Sequence, residues 1–434
     1  MTDLMITDAL LTADGPLHDI LIDSDRITAV LPAGMTRQDG FHQVIAAQGR
    51  LVVPGFVDPH IHLDVALSGN VARPGRPQPF TDVRTLNAAV EERRTSFDHD
   101  DIVRRVMATV RMAVQHGTTV LRTQCHLDTV VGTRHLDAVL DARDRLGDLA
   151  TVQVVAFPQQ GFHRHAGTIE LFREVLADHP DLVVGGAPVF DPGVDAREHI
   201  DTAYALATEC DRDLDFHADM GLTPAPGSPG PELDSLEITH IARRAVQHGW
   251  QGRVAVGHAA MLGCATPEVA AQAIDEIVAA DLAVIAQPDL FRLGRTDVRD
   301  VRRGLTRVKE LWAAGARVTF ASNNVQDAFR PVGSCDMLQE ALVLSYGAHM
   351  DAVAELDALL TMCTTMAARV VGLRGHEVAA GGRADLVVLD ATNPSAAVVG
   401  QVDRVAVISA GRLRVQTRRD VLWVDGIAPC PVER

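Results

Sequence analysis

The chain lacks paired cysteines, a recognisable secretory signal and any long apolar run. Its six cysteines show no CxxC or paired spacing, and we interpret them as buried or surface thiols in a reducing cytoplasm. The first residues, MTDLMITDALLTADG, contain neither a basic segment nor a long apolar segment, so they do not match a signal peptide. No apolar run reaches the ~18 residues that a transmembrane helix needs. These absences predict a cytoplasmic protein with no membrane partner.

Basic residues are scarce relative to acidic ones. The chain has 40 Lys and Arg against 57 Asp and Glu, which gives a formal net charge of −17, and no Lys/Arg block interrupts this excess. A surface of this sign repels phosphate backbones, so we exclude nucleic acid as a partner and expect a small-molecule substrate. No GxGxxG or Walker motif is present either, which argues against a doubly wound nucleotide-binding sheet.

Strand-like segments lie at both ends of the chain. ALLTADG, DILIDSDRITAVLPAG and FHQVIAAQGR stand near the start, and RADLVVLD, RVAVISAGRLRV and VLWVDG near the end. Each alternates apolar and polar residues and breaks at Gly or Asp. We predict that residues 1–54 and 376–434 pair into one small β-sandwich domain that holds the termini together.

The middle of the chain alternates short apolar runs with helical patterns. The runs lie at residues 51–57, 118–123, 152–157, 182–190, 214–218, 253–258, 282–287 and 317–322. Between them stand helical segments such as IVRRVMATVRMAVQHG and PEVAAQAIDEIVAA. Repeated strand–helix units predict an α/β fold, a parallel (β/α)8 TIM barrel over residues 55–375.

Four histidines stand at the ends of the predicted strands. His60 and His62 follow the first run, His217 ends the fifth and His258 ends the sixth. Residues i and i+2 of a strand point the same way, so His60 and His62 can face one centre. In such barrels the functional side chains gather where the strands end. A single histidine is more often a buried polar group than a ligand, but this arrangement indicates a metal-type pocket.

Several motifs resemble those of the amidohydrolase superfamily, and of its cytosine deaminase-like subgroup in particular. They are VPGFVDPHIHLD, VAFPQQG, DFHAD, VGHAAM and GGRADLVVLD, and the similarity runs over nearly the whole chain. The resemblance implies that His60, His62 and His217 ligate a single divalent metal. It implies that His258 polarises the attacking water or contacts substrate, and that Gln159 hydrogen-bonds a cyclic amide or amidine. In that family water attacks a carbon that bears an amino group, and ammonia leaves.

Three positions depart from the family pattern. Met220 stands where the family has a proton-shuttling glutamate, and Asn323 and Asn324 stand where it has two aspartates. Asn323 can offer a neutral oxygen to a metal but cannot accept a proton near neutral pH. We expect Asn324 and Met220 to contact substrate, and Asp219 to be the candidate base after His258.

The sequence therefore predicts a hydrolase with an atypical active site, acting on a C–N bond other than a peptide bond in a small cyclic amide, amidine or heterocycle. The expected cofactor is one divalent metal, zinc first, with iron or manganese as alternatives. Because Asn323 replaces a ligand carboxylate, we expect metal binding to be weakened or lost. The alternatives are a lyase, isomerase or biosynthetic enzyme on the same scaffold, or a degenerate enzyme that binds a small molecule. The resemblance also implies a homo-oligomer.

Further polar residues stand near the ends of the predicted strands. We interpret Asp64 as a loop or supporting residue and Asp327 as structural. His126 and Asp128 could line the pocket or lie in a surface loop. The Pro- and Gly-rich segments 68–82 and 221–235 follow predicted strands and could form lids or be ordinary loops.

Overall fold

The computed structural model describes residues 2–69, 91–220, 230–288 and 305–420. These ranges contain two sheets of eight strands each. The first sheet consists of β1 (Thr2–Leu10), β2 (Leu17–Asp23), β3 (Arg26–Pro32), β4 (Phe41–Ala46), β5 (Leu51–Pro54), β14 (Leu386–Leu389), β15 (Arg404–Ser409) and β16 (Arg412–Gln416). The second consists of β6 (Phe56–Ile61), β7 (Thr118–His126), β8 (Thr151–Phe157), β9 (Val183–Gly186), β10 (Leu214–Ala218), β11 (Val254–His258), β12 (Ala283–Ala286) and β13 (Arg317–Phe320).

The second sheet is a parallel barrel. Its strands follow one another in chain order from β6 to β13. The barrel closes where Asn323, just beyond β13, donates its N–H to the carbonyl of His60 at 3.0 Å and accepts from the N–H of His62 at 2.9 Å. The predicted TIM barrel is therefore confirmed.

The first sheet is built from both ends of the chain. Its order is β16-β15-β14-β5-β1-β2-β3, with β4 paired in parallel to β1. The two ends meet where β14 runs antiparallel to β5, with Leu386 opposite Pro54. Buried Ile6, Ile20 and Ile408 belong to a core of its own, apart from the barrel core. A separate sheet from the two termini is confirmed, while the residue limits of the domains stay a prediction.

Helices connect successive strands of the barrel and follow its last strand, and the final helix joins β14 to β15. They are α1 (His99–Gln115), α2 (Arg134–Leu146), α3 (Thr168–Asp178), α4 (Ala196–Cys210), α5 (Glu237–His248), α6 (Pro267–Ala279), α7 (Val308–Ala313), α8 (Met337–Ala348), α9 (Val353–Met362), α10 (Thr365–Val370) and α11 (Pro394–Gly400). Helix α1 shows why such segments are helical. Asp98 accepts the N–H of Asp101 at 2.7 Å as an N-cap, and the apolar stripe that includes Ile102, Val106 and Val110 is buried.

Two predicted strands have different bounds in the structure. The run 51–57 is not one barrel strand, because β5 belongs to the terminal sheet and β6 to the barrel, with Gly55 between them. The run 182–190 is a strand only as far as Gly186, since residues 188–190, which begin with proline, form a short 3-10 helix.

Some predicted features fall on residues outside the described ranges. These are most of the segment 68–82, the first part of the segment 221–235, and the strand-like VLWVDG near the C-terminus. Within the described ranges, no helix combines the length and the apolar character needed to cross a membrane.

Gly55 lets the chain pass from one sheet to the other. A Cβ at this position would lie 2.7 Å from Cγ2 of Thr119, a fully buried and β-branched neighbour that has little freedom to move. We expect Gly55→Ala to destabilise the fold by about 1–3 kcal/mol through overpacking. The thermal unfolding midpoint measures this, with Gly40→Ala as control, because a Cβ there would meet open space. Equal midpoints for the two variants would contradict the expectation.

Candidate active site

Three buried histidines converge at the mouth of the barrel. His60 and His62 lie at the end of β6 and His217 lies on β10. Nε2 of His217 is 3.0 Å from Nε2 of His60 and 3.0 Å from Nε2 of His62. The side chains are at most 4% exposed. The structure thus brings together the three residues that the sequence predicts as metal ligands, and a glycine, Gly257, leaves room for the ring of His60.

The surroundings of His62 and His217 favour neutral imidazoles, whose ring nitrogens keep lone pairs that can bind a metal. Burial lowers the pKa of His62 and of His217 well below the ordinary value, and the neighbouring His60 adds to the effect. Metal–nitrogen bonds of about 2.0–2.1 Å in tetrahedral geometry place ligand nitrogens about 3.3 Å apart. The observed separations of 3.0 Å are close to this value, so the donor set fits one divalent cation.

Polar groups on the far side of His60 hold its ring in place. Its Nδ1 lies 3.4 Å from Nε2 of Gln124 and 3.6 Å from Oδ1 of Asp215. Asp215 is itself paired with Arg122, at 3.2 Å. Such partners orient metal-binding imidazoles and fix their tautomer. The sequence analysis missed all three, although Gln124 and Asp215 each stand two residues before a histidine at a strand end.

His258 lies beside the triad rather than within it. Its ring centroid is 5.0 Å from that of His217 and 5.7 Å from that of His60. Its backbone is left-handed, with φ of 75°, and the same holds for Asp219 at 51° and Asn323 at 56°. Non-glycine residues pay a conformational cost there, and such strain concentrates at functional sites.

Asp219, predicted as a second candidate base, is tied to the start of α5. Its carboxylate accepts the N–H groups of Glu237 and Ile238, each at 2.9 Å, while Glu237 accepts the N–H of Asp219 at 2.5 Å. Burial raises the pKa of Asp219 to about 6, and burial together with the charge of Asp219 raises that of Glu237 to about 8. These bonds favour a positioning role, and a catalytic role for Asp219 stays a prediction.

Gln159 is 2% exposed in the loop after β8. A buried carboxylate, Asp191, supports this loop by accepting the N–H of Phe162 at 3.0 Å and contacts from Nδ1 of His163 at 2.7 Å and Nδ1 of His199 at 2.9 Å. Burial alone would raise the pKa of Asp191, but the bonds from both histidines lower it to about 2. The carboxylate is therefore charged and fixes the shape of the Gln159 loop.

Met220 and Phe157 contribute to an apolar cluster at the mouth. Met220 is buried and shares this cluster with Phe157, Ala187 and Phe190. The Phe157 ring stacks on His217 with centroids 4.1 Å apart. Met220 thus stands in an apolar wall next to the triad, a position from which a thioether can pack against a ring but cannot transfer protons.

The two asparagines take different positions after β13. Asn323 joins the histidine strand through its backbone, as described above, and its side chain is 3% exposed. Asn324 donates from Nδ2 to Oδ2 of Asp327 at 2.6 Å, and Oδ1 of Asp327 accepts the N–H of Arg330 at 2.8 Å. Arg330 is further paired with buried Glu340 at 2.7 Å. Asp327 therefore supports the loop, in line with its interpretation as structural.

A second polar cluster lies beside the site. Oδ2 of Asp64 lies 2.5 Å from Nδ1 of His126 and 2.8 Å from Nδ1 of His135. Asp128 is paired with Arg94 at 2.5 Å. All five residues are fully buried, so the interpretation of His126 and Asp128 as a surface loop is wrong. Asp64 is a supporting residue, as expected.

Gly257 offers a direct test of the geometry around His60. A Cβ on residue 257 would lie 2.8 Å from Cε1 of His60. We expect Gly257→Ala to displace this imidazole and to lower the affinity for zinc about 10–100-fold, the range seen when ligand support is lost. Zinc titration against a competing chelator measures it. Wild-type affinity in Gly257→Ala, or an equal loss in the control Gly40→Ala, would contradict the assignment.

Comparison with known proteins gives matches over most of the chain. A model of the amidohydrolase family matches residues 43–156 and 171–415. An N-isopropylammelide isopropyl amidohydrolase from Pseudomonas sp. strain ADP is 31% identical over 421 residues, covering 95% of this chain and 97% of that protein. A pterin deaminase from Rhizobium rhizogenes is 27% identical over 379 residues, covering 86% of this chain and 82% of that protein.

A solved structure agrees with the fold over almost the whole chain. The crystal structure of a 5-methylcytosine deaminase from Klebsiella pneumoniae, liganded with phosphonocytosine, superposes with a TM-score of 0.86 and 27% identity. The match covers 96% of this chain and 100% of that one. With the barrel, the histidine triad and these relatives in agreement, the chain belongs to the amidohydrolase family.

Proposed function

We propose that this protein is a metal-dependent hydrolase that cleaves a C–N bond other than a peptide bond in a small cyclic amide, amidine or related heterocycle. The observation that carries the proposal is the convergence of the Nε2 atoms of His60, His62 and His217 at the barrel mouth. The named activities of the relatives, an amidohydrolase and two deaminases, support the reaction class.

The three imidazoles would hold the metal, and the side-chain oxygen of Asn323 is the proposed fourth ligand. When bound, a divalent metal acts as a Lewis acid and lowers the pKa of a coordinated water. We propose zinc, with iron and manganese as alternatives, because imidazole binds all three. An amide oxygen carries no charge, so the affinity should be lower than with a carboxylate in that place.

The chain's own residues supply orientation and proton transfer. Asp215 lies on the Nδ1 side of His60, away from the Nε2 atoms of the triad. Asp219 is bound by backbone N–H groups. We therefore assign proton transfer to His258, beside the triad, and orientation of the substrate ring to Gln159. The apolar wall around Met220 would exclude water from one face of the ring.

A second candidate is binding without turnover. It is favoured by the chemistry of Met220 and Asn324, since one is packed in an apolar cluster and the other donates to Asp327. Neither side chain can act as an acid or base near neutral pH. This candidate requires that a ligand bind tightly and be recovered unchanged.

Release of ammonia or alkylamine tests the proposed reaction. Protein with zinc would be incubated with 5-methylcytosine, N-isopropylammelide and pterin, and the amine released would be quantified together with metal per chain. We expect turnover of at least one compound, about one metal per chain, and loss of both in His217→Ala, because two imidazoles seldom hold a divalent metal.

The matched control is His376→Ala. His376 is also buried, but its Nε2 bonds to the carbonyl of Gly55, where the chain enters the barrel from the terminal sheet. This variant should keep metal and turnover. Turnover that survives in His217→Ala would refute the proposal, and tight binding of a compound recovered unchanged would favour the second candidate.

His258 gives a separate test of proton transfer. We expect His258→Asn to keep its metal, because His258 lies outside the triad, and to lose about 10²–10⁴ in kcat, the usual contribution of general acid–base catalysis. Steady-state kinetics and metal analysis of the same sample measure both. An unchanged kcat would remove His258 from the mechanism, and a loss of metal would make it a ligand.

A further inference from the structure

Gln287 is a buried amide that no motif singles out. It directly follows β12 at the barrel mouth and is 1% exposed. Neither its Oε1 nor its Nε2 meets a hydrogen-bond partner in the structure over residues 2–69, 91–220, 230–288 and 305–420. A side chain with one acceptor and two donor hydrogens is thus buried with its hydrogen-bonding capacity unused.

The strand alternation shows where this side chain points. On β12, Val284 and Ala286 belong to the large core between the barrel and its helices, whereas Ala283 and Ile285 belong to a smaller cluster with Ala255 and Ala321. Alternate residues of a barrel strand face opposite sides, and the second set fills the interior. Gln287 continues the series of positions 283 and 285, and so faces the interior, one layer nearer the mouth.

The strand register places this layer next to the histidines. Ile285 pairs with Gly257 on β11, and Gly257 is the residue against which the ring of His60 packs. On the other side, Ala286 pairs with Phe320 on β13, which leads to Asn323. The Gln287 amide therefore stands between the strand ends that carry His258 and Asn323.

An unpaired amide in such a position is costly. Burying an amide without a partner destabilises the folded protein, because the hydrogen bonds that the amide makes with water are lost. A protein that only needed to fill this space could do so with a methionine or leucine of similar volume. The cost is offset when a ligand with a matching donor and acceptor enters the mouth.

We infer that Gln287 is a substrate-binding residue that recognises a ring edge with neighbouring donor and acceptor atoms, such as the N–H and C=O of a cyclic amide or the matching atoms of an amidine. The inference rests on the proposed function, because it names the ring feature that the same site would read. Gln287 follows β12, which lies between the strands that carry His258 and lead to Asn323. In the order around the barrel, β12 is opposite β8, the strand that precedes Gln159.

Two glutamine variants separate recognition from folding. Gln287→Met removes the donor and acceptor while keeping the volume. Gln401→Met is the matched control, because the amide of Gln401 already has partners within the fold. Its Nε2 donates to the carbonyls of Leu338 on α8 at 2.8 Å and of Val398 on α11 at 2.7 Å. Zinc-loaded proteins would be titrated calorimetrically with 5-methylcytosine, N-isopropylammelide and pterin, and thermal midpoints would be recorded without ligand.

We expect opposite outcomes for the two variants. Gln287→Met should bind the best ligand about tenfold or more weakly and keep or raise the thermal midpoint, because it relieves an unpaired amide. Gln401→Met should bind normally and unfold a few degrees earlier. Should the methionine fail to fold, Gln287→Leu replaces it in the same comparison.

The possible results distinguish a failure of the inference about Gln287 from a failure of the proposed function. Normal ligand affinity in Gln287→Met, with wild-type binding intact, overturns the inference and leaves the proposed function standing. A large fall in its thermal midpoint also overturns it, because the amide would then be satisfied within the fold. Wild-type protein that binds and converts none of the three compounds overturns the proposed function and the inference together.

Discussion

The backbone hydrogen bonds that close the barrel also position the residues of the candidate active site. The backbone of Asn323 bonds to His60 and His62 across the seam between β13 and β6. Nearby, buried Asp58 accepts hydrogen bonds from the backbone N–H and the hydroxyl of Ser322, so the same two strands are tied twice. The seam therefore fixes two of the three proposed ligands and the proposed fourth one. A shift in the register of this seam would both open the barrel and move the three histidines apart.

The carboxylates around the mouth are occupied by structural bonds. Asp191 holds the Gln159 loop, Asp219 caps α5, and Asp64 orients two histidines. Each is buried, and a buried carboxylate is tolerated when hydrogen bonds or a paired cation compensate for lost hydration. Their role is to hold backbone N–H groups and histidine rings in place. This explains why polar residues are abundant here while the side chains assigned to chemistry are imidazoles and amides.

The barrel and the triad could be predicted from the sequence because their signals are local. Alternating strands and helices and histidines at strand ends need no knowledge of distant contacts. The passage at Gly55 was missed because the chain is apolar on both sides of Pro54-Gly55, and this dipeptide is the local signal that marks the change of sheet. Asp191 and Gln124 were missed because each acts through a partner far away in sequence. Gln287 was missed because a single amide after a strand has no pattern, and its burial without a partner is visible only in three dimensions.

The charge balance of the mouth bears on the kind of molecule that fits. His62 and His217 are neutral because burial lowers their pKa, and Gln159, Gln287 and Asn323 carry no charge at all. A cationic ligand would lose its hydration there and would be repelled by the proposed divalent metal, which is costly in a low-dielectric site. A neutral ring with donors and acceptors on its edge would lose less and would find amides to bind. The lining and the proposed metal therefore disfavour cationic ligands, even though the protein as a whole is strongly acidic.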